Sequence, residues 1–199
     1  WVVMEPAIEE INNTADYNFP TVGDHDFEEI KTWHEDGEFF VFALLDGVFQ
    51  GTGNLFNFNE FLLATVRYQE ELKFLAGKYG AFLFEMAVQA LRMGADGLII
   101  GDDMASTHGP LISPRVMEKI YYPIYQQVLK ELAIYKKPIF LHCDGNIEFL
   151  LPKLAEMGFA GVHSLEPAAG MDLVSIKKRF GSELCLMGNV DPALLEETH

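Results

Sequence analysis

Short apolar runs alternate with longer segments of helical periodicity along most of this chain. Five runs, residues 39–45, 97–101, 138–142, 161–165 and 184–188, are mostly apolar on both faces and are followed at once by polar or glycine residues. Strands covered on both faces in a parallel sheet have this pattern. Residues 59–76, 80–93, 114–135, 147–157 and 173–180 carry apolar positions near helical spacing, which predicts crossover helices and βα units. Ser113-Pro114 and Asp191-Pro192 each put a capping side chain before a proline at the first helical position, and Asn146 and Asp172 are further predicted caps. Gly94 and Gly158 stop helices in matching contexts. Residues 1–37 break the pattern: they are acidic and irregular, with turn signals at Asn12-Asn13, Pro20, Gly23-Asp24 and Asp36-Gly37 around a short predicted helix near 27–34. They read as a connecting segment ahead of an α/β unit at 38–199.

The expected fold class is α/β, a (β/α)8 TIM barrel present as about five βα units. Five strands cannot close an eight-strand barrel, and 199 residues falls short of the roughly 250 typical of that fold. The choice is between an excerpt lacking about three strands and an open sheet, and the strand ends favour the excerpt. With 49% hydrophobic residues there is ample material for a core. The balance of 14 Lys+Arg against 30 Asp+Glu, a net charge of −16, argues against nucleic acid or an anionic membrane surface as partner. No apolar run approaches the ~20 residues of a membrane span. The first residues lack a signal-peptide pattern, and because residue 1 is Trp the N-terminus is read as trimmed. Two cysteines, Cys143 and Cys185, make no disulfide framework, so free thiols and a cytoplasmic location are expected.

In parallel α/β folds ligands bind beyond the carboxyl ends of the strands. Those positions carry Asp46-Gly47, then Asp102-Asp103 with His108, His142-Cys143-Asp144-Gly145-Asn146, Glu166-Pro167, and Asn189-Val190-Asp191-Pro192. Strand alternation projects His142 and Asp144 to one side and Cys143 to the other. A His and a carboxylate so placed can hold a divalent metal such as zinc, with Cys143, His163 or Glu166 as candidates for the remaining ligands. The competing reading is a turn and helix cap at 144–146 and a histidine bonded to a neighbouring strand. Asp102 and Asp103 point opposite ways, so one can face the mouth in a substrate-orienting or acid–base role while the other bonds backbone amides. His108 lies in a glycine- and proline-rich loop and either overhangs the site or is an ordinary exposed histidine. Cys185, at the far end of its strand, is expected to be a core thiol. Phe56, Phe58 and Phe61 read as helix-face core more readily than as pocket lining.

The order of these motifs resembles the uroporphyrinogen decarboxylase superfamily. The matching stretches are Gly94-Ala-Asp-Gly-Leu-Ile-Ile-Gly-Asp-Asp103, Gly109-Pro-Leu-Ile-Ser-Pro114, Pro138-Ile-Phe-Leu-His-Cys-Asp-Gly-Asn146, Leu165-Glu-Pro-Ala-Ala-Gly-Met-Asp172 and Gly188-Asn-Val-Asp-Pro192. The resemblance spans about 38–199 and implies the third to seventh strands of that family's barrel, with the first two and the last missing. It implies one of two chemistries. One branch decarboxylates the acetate arms of a tetrapyrrole without a cofactor; the other transfers methyl groups between corrinoid proteins and thiols or folates, often with zinc held by a His-x-Cys pair and a later Cys. Arg67, Arg92, Arg115 and Arg179 all fall on predicted helices, leaving a polyanion without counter-charges. Asp103-Met104-Ala105 stands where the decarboxylase pattern has an Asp-Ser-Trp-like run, although the 188–192 run is close to the decarboxylase's own. His142 matches the zinc histidine, while Asp144 occupies the position of the first zinc cysteine. The resemblance therefore implies a methyltransferase acting on a small molecule, with corrinoid supplied by a partner protein. Catalytic roles fall to Asp103, His142 and Asp144, metal ligation to His142 and Asp144, and substrate contacts to Asp46, Asp102, His108, Glu166 and Asn189. Uroporphyrinogen decarboxylation and a non-catalytic role as a corrinoid-protein partner are the alternatives.

Overall fold

The computed structural model describes residues 6–9, 11, 14, 17–191 and 193–196. Helix α1 (Glu28–Asp36) precedes strand β1 (Phe42–Asp46), helices α2 (Val48–Gly53), α3 (Phe58–Arg67) and α4 (Gln69–Arg92), and strand β2 (Gly97–Gly101). A small hairpin of β3 (Ala105–Ser106) and β4 (Gly109–Pro110) leads to α5 (Pro114–Leu132) and β5 (Ile139–Cys143). The series ends with α6 (Leu151–Met157), β6 (Gly161–Ser164), α7 (Leu173–Phe180), β7 (Cys185–Gly188) and α8 (Ala193–Glu196). The five long strands form one parallel sheet in the order β1-β2-β5-β6-β7. Each strand lies beside its predecessor in chain order, the arrangement of consecutive βα units in a barrel, so the molecule is α/β with five units of a TIM barrel.

Strand register gives the sheet two unlike faces. Leu45, Ile100, Leu141, Val162 and Leu186 are aligned across it, and Ala43, Leu98, Ile139 and Cys143 share their side by alternation. Most of these are buried beneath the helices, against residues such as Leu75, Ala87, Tyr125, Leu129 and Leu154. The other face carries Phe42, Leu44, Ile99, Phe140 and Cys185 below a row of Asp46, Gly101, His142, His163 and Met187. This second face corresponds to the inside of a barrel, and it is open: Leu44 is 70% exposed.

Several boundaries differ from expectation. The predicted break at 77–79 is absent, and α4 runs through Gly77 and Gly80; the interruption comes at Tyr68, whose φ of −130° and ψ of 49° end α3. At Gly80 a side chain would meet Ile124 Cγ2 at 2.3 Å, so this glycine serves close packing of α4 on α5. Asp172 caps α7 by accepting from the Val174 amide at 3.0 Å. Asn146 does not cap α6; it accepts from Glu148 N in a local turn, and the helix starts only at Leu151. Ser113 holds the N-cap position of α5 without a side-chain bond. Asp191 accepts from Ala193 N at 3.0 Å, whereas Pro192 and the Asn12-Asn13 turn lie outside the described residues. Gly94 and Gly158 adopt φ values of +110° and +102° at their helix ends, the conformation that makes glycine favourable there. Cys185 is exposed, contrary to the expected core thiol, because it lies on the open face of the terminal strand. The described part of the leading segment docks on the α/β unit: Ile8 N donates to Leu55 O, and Phe19 packs against Tyr79 and Phe82.

Candidate functional site

The carboxyl ends of β2, β5 and β6 converge on one polar cluster. Beyond Gly101, chain alternation sends Asp102 toward the helices and Asp103 toward the open face. Asp103 is half-buried, and its Oδ1 accepts the backbone N–H of Asp144 at 3.0 Å. Its own N–H donates to Gln50 Oε1 from α2 at 3.2 Å, so this residue is fixed from both neighbouring strand ends. Asp144 Oδ1 accepts from the Ser164 hydroxyl at 2.6 Å and lies 3.8 Å from His142 Nε2. On its other edge His142 presents Nδ1 to His163 Nδ1 at 2.7 Å, because the two histidines are register partners on β5 and β6. Burial and then the neighbouring His142 hold His163 below the usual histidine range.

Asp103, His142 and Asp144 each offer a ligand atom, and all three atoms lie within 4.8 Å of one another. The Lys and Arg ion pairs among the described residues are made elsewhere, to Glu28, Glu70, Asp96, Glu148 and Glu156. Two carboxylates with no Lys or Arg paired to them, beside an imidazole, are a donor set that fits a divalent cation. Asp103 Oδ1 and Asp144 Oδ1 are occupied by hydrogen bonds, which leaves the second oxygen of each carboxylate for such an ion.

The remaining predicted residues divide. Glu166 is half-buried, and its Oε2 accepts from Gly145 N at 2.9 Å, bracing the loop that carries Asp144. Asn189 spends its amide N–H groups on Leu165 O and Met171 O, at 2.7 and 2.9 Å, and so staples the loop after β6. Asp46 is exposed on the same row as His142 but two strands away, about 10 Å by strand spacing. His108 is exposed at the turn of the β3–β4 hairpin, and the structure shows no contact from its side chain to the cluster. The hairpin itself does touch the site loop, since Ser106 O accepts from Asn146 N.

Asp102 is not brought to the mouth. It is fully buried, with Oδ1 accepting from Gln50 N at 2.6 Å and Oδ2 from Phe49 N and the Tyr125 hydroxyl at 3.1 and 2.5 Å. It thereby ties the start of α2 to α5, the amide-bonding alternative for this pair. Gly47 makes room for it, because a Cβ there would meet Asp102 Cβ at 2.3 Å. Cys143 is also buried on the helix side. Burial pushes its thiol well above the usual range, which removes it from the candidate thiolate ligands.

Gln50, Ser164 and Tyr125 were not singled out from sequence. Ser164 has φ of +94° and Leu165 of +50°, an uncommon backbone for non-glycine residues. Simple alternation would turn the Ser164 side chain toward the helices, yet its hydroxyl reaches Asp144. No local sequence signal marks such a turn; Gly188, whose added Cβ would meet Ser164 O at 2.2 Å, is its nearest trace.

The sequence model for uroporphyrinogen decarboxylase (URO-D) matches residues 7–199. The chain belongs to this family. A solved methyltransferase from Methanosarcina mazei is similar in structure, with a TM-score of 0.67 at 23% identity, over 82% of this chain and 47% of that one. The likeness supports the shared fold, and the chain spans about half the length of that structure. No curated protein matches the sequence. Among the described residues, no helix is long and apolar enough to cross a membrane.

Proposed function

We propose that this uroporphyrinogen decarboxylase family member is a methyltransferase that works with a corrinoid-bearing partner protein and uses a divalent metal at Asp103, His142 and Asp144. The observation that carries this reading is the cluster itself, two carboxylates and an imidazole converging at the strand ends with no Lys or Arg paired to them. A tetrapyrrole substrate bearing many carboxylates would meet like charge there, which disfavours the decarboxylase alternative. A similar fold in a Methanosarcina mazei methyltransferase is compatible with it.

Bound at these residues, zinc or another divalent ion would supply Lewis-acid polarisation of a substrate oxygen. Asp144 in place of a thiolate makes the donor set harder, which suits an oxygen-bearing methyl donor or acceptor more than a thiol. The protein's part is positional. Gln50 and the Asp144 amide fix Asp103, Ser164 fixes Asp144, and Glu166 braces the Gly145 turn. Such fixed groups lower the reorganisation required when charge develops on a reacting oxygen.

The test uses the full-length protein. Elemental analysis should find stoichiometric divalent metal, and methyl transfer to a corrinoid protein should fall at least a hundredfold in His142→Ala, the usual scale for losing an electrostatic or acid–base group. Metal-free protein with undiminished activity in His142→Ala removes the mechanism, and coproporphyrinogen formation from uroporphyrinogen establishes the decarboxylase reading instead.

A further inference from the structure

The His142–His163 contact constrains which nitrogen of His142 is available. With Nδ1 of one ring facing Nδ1 of the other at 2.7 Å, a single proton lies between them, one ring donating and the other accepting. A neutral His142 that accepted at Nδ1 would carry its proton on Nε2, the nitrogen that faces Asp144. It could then offer no lone pair to a cation between Asp103 and Asp144. The opposite arrangement, His142 donating from Nδ1 and His163 accepting, leaves Nε2 of His142 free on the side of the two carboxylates.

We infer that His163 is a positioning residue: it accepts the Nδ1–H of His142, fixes the tautomer that presents Nε2 to the cluster, and is not itself a metal ligand. Two ligands on one ion at bond lengths of about 2.1 Å would hold their nitrogens more than 3 Å apart in tetrahedral geometry, wider than this contact. The arrangement corresponds to the outer-sphere hydrogen bond that orients most metal-bound histidines, with an imidazole as the acceptor in place of a carboxylate or carbonyl. Strand pairing makes it rigid, since His142 and His163 are direct neighbours on β5 and β6, and His163 is half-buried there. The inference rests on the metal reading above and adds a residue and a tautomer to it.

Two measurements on the full-length protein test it. In the metal-free protein at pH 8, long-range 1H–15N spectra of the histidine rings should show His142 protonated at Nδ1 and His163 at Nε2; the reverse pair overturns the inference. Co2+ titration followed by visible absorption should then show 10–100-fold weaker binding in His163→Phe, with a changed band shape. His163→Asn, whose amide oxygen can stand near the place of Nδ1, should restore affinity close to wild type. Retention of wild-type Co2+ affinity by His163→Phe defeats the His163 role alone. Failure of the wild type to take up Co2+ defeats both this role and the metal site on which it rests.

Discussion

Asp102 accepts three hydrogen bonds in a fully buried setting, and all three donors belong to other elements. An asparagine there would turn an N–H2 group toward at least one of those donors. Asp102→Asn should therefore cost about 1–3 kcal/mol, the range for an unsatisfied buried polar group, measured by urea unfolding at pH 7.5. Burial pushes this carboxyl up to about 7, against the opposing pull of Tyr125 and the Gln50 and Phe49 amides. The folded chain holds the proton more tightly than the unfolded one, where an Asp titrates at about 3.9. The resulting stabilisation is complete below about pH 4 and is lost as pH rises through about 7. The wild type's stability margin over Asp102→Asn should accordingly shrink between pH 4.5 and pH 7.5, and parallel profiles would contradict the assignment. Alternation after β2 showed that one carboxylate of the pair faces the mouth and the other the helices, but the Tyr125 hydroxyl arrives from 23 residues away, which no local pattern encodes.

At the scale of elements, two glycines of one helix make opposite predictions. Gly77 is exposed on α4, and a side chain there would meet nothing within 4 Å; Gly77→Ala should stabilise the chain by about 0.5–1 kcal/mol through helix propensity. Gly80, one turn on, is packed against Ile124 of α5, and Gly80→Val should destabilise by about 1–3 kcal/mol through overpacking. Thermal unfolding of both variants is the check, and equal signs would refute the packing account. The sequence reading divided this stretch into helices at 59–76 and 80–93, and glycine in a helix interior is costly. Tertiary contact between α4 and α5 outweighs that cost. Elements whose ends depend on local chemistry fared better: the glycine stops at 94 and 158 and the Asp172 cap are as expected. The short β3–β4 hairpin and α2, which owe their form to the surrounding loops, were not anticipated.

For the whole molecule, a cation held at the proposed site between two separate strand ends would link binding to folding. Asp103, His142 and Asp144 are brought together by β2 and β5, so an ion that binds the folded form alone stabilises it by about 2.7 kcal/mol at a hundred times its dissociation constant. Zinc should raise the midpoint of thermal unfolding of the wild type and leave that of Asp103→Ala unmoved; an equal rise in both places the bound ion elsewhere. The net charge of −16 adds a general effect of the opposite specificity. Screening by 200 mM NaCl should raise the thermal midpoint of wild type and variant alike.

The sequence by itself determined the βα alternation, the gathering of polar residues past the strand ends, and the common side on which His142 and Asp144 emerge. Each follows from periodicities of two and 3.6 residues and from caps within a few positions. It also carried the family, through the joint order of its motifs. Only the tertiary structure decided that Asp102 is a buried anchor, that Cys185 lies open, and that the Ser164 hydroxyl turns back to Asp144. It alone set His142 against His163, because strand register is fixed by packing and pairing across residues far apart in the chain.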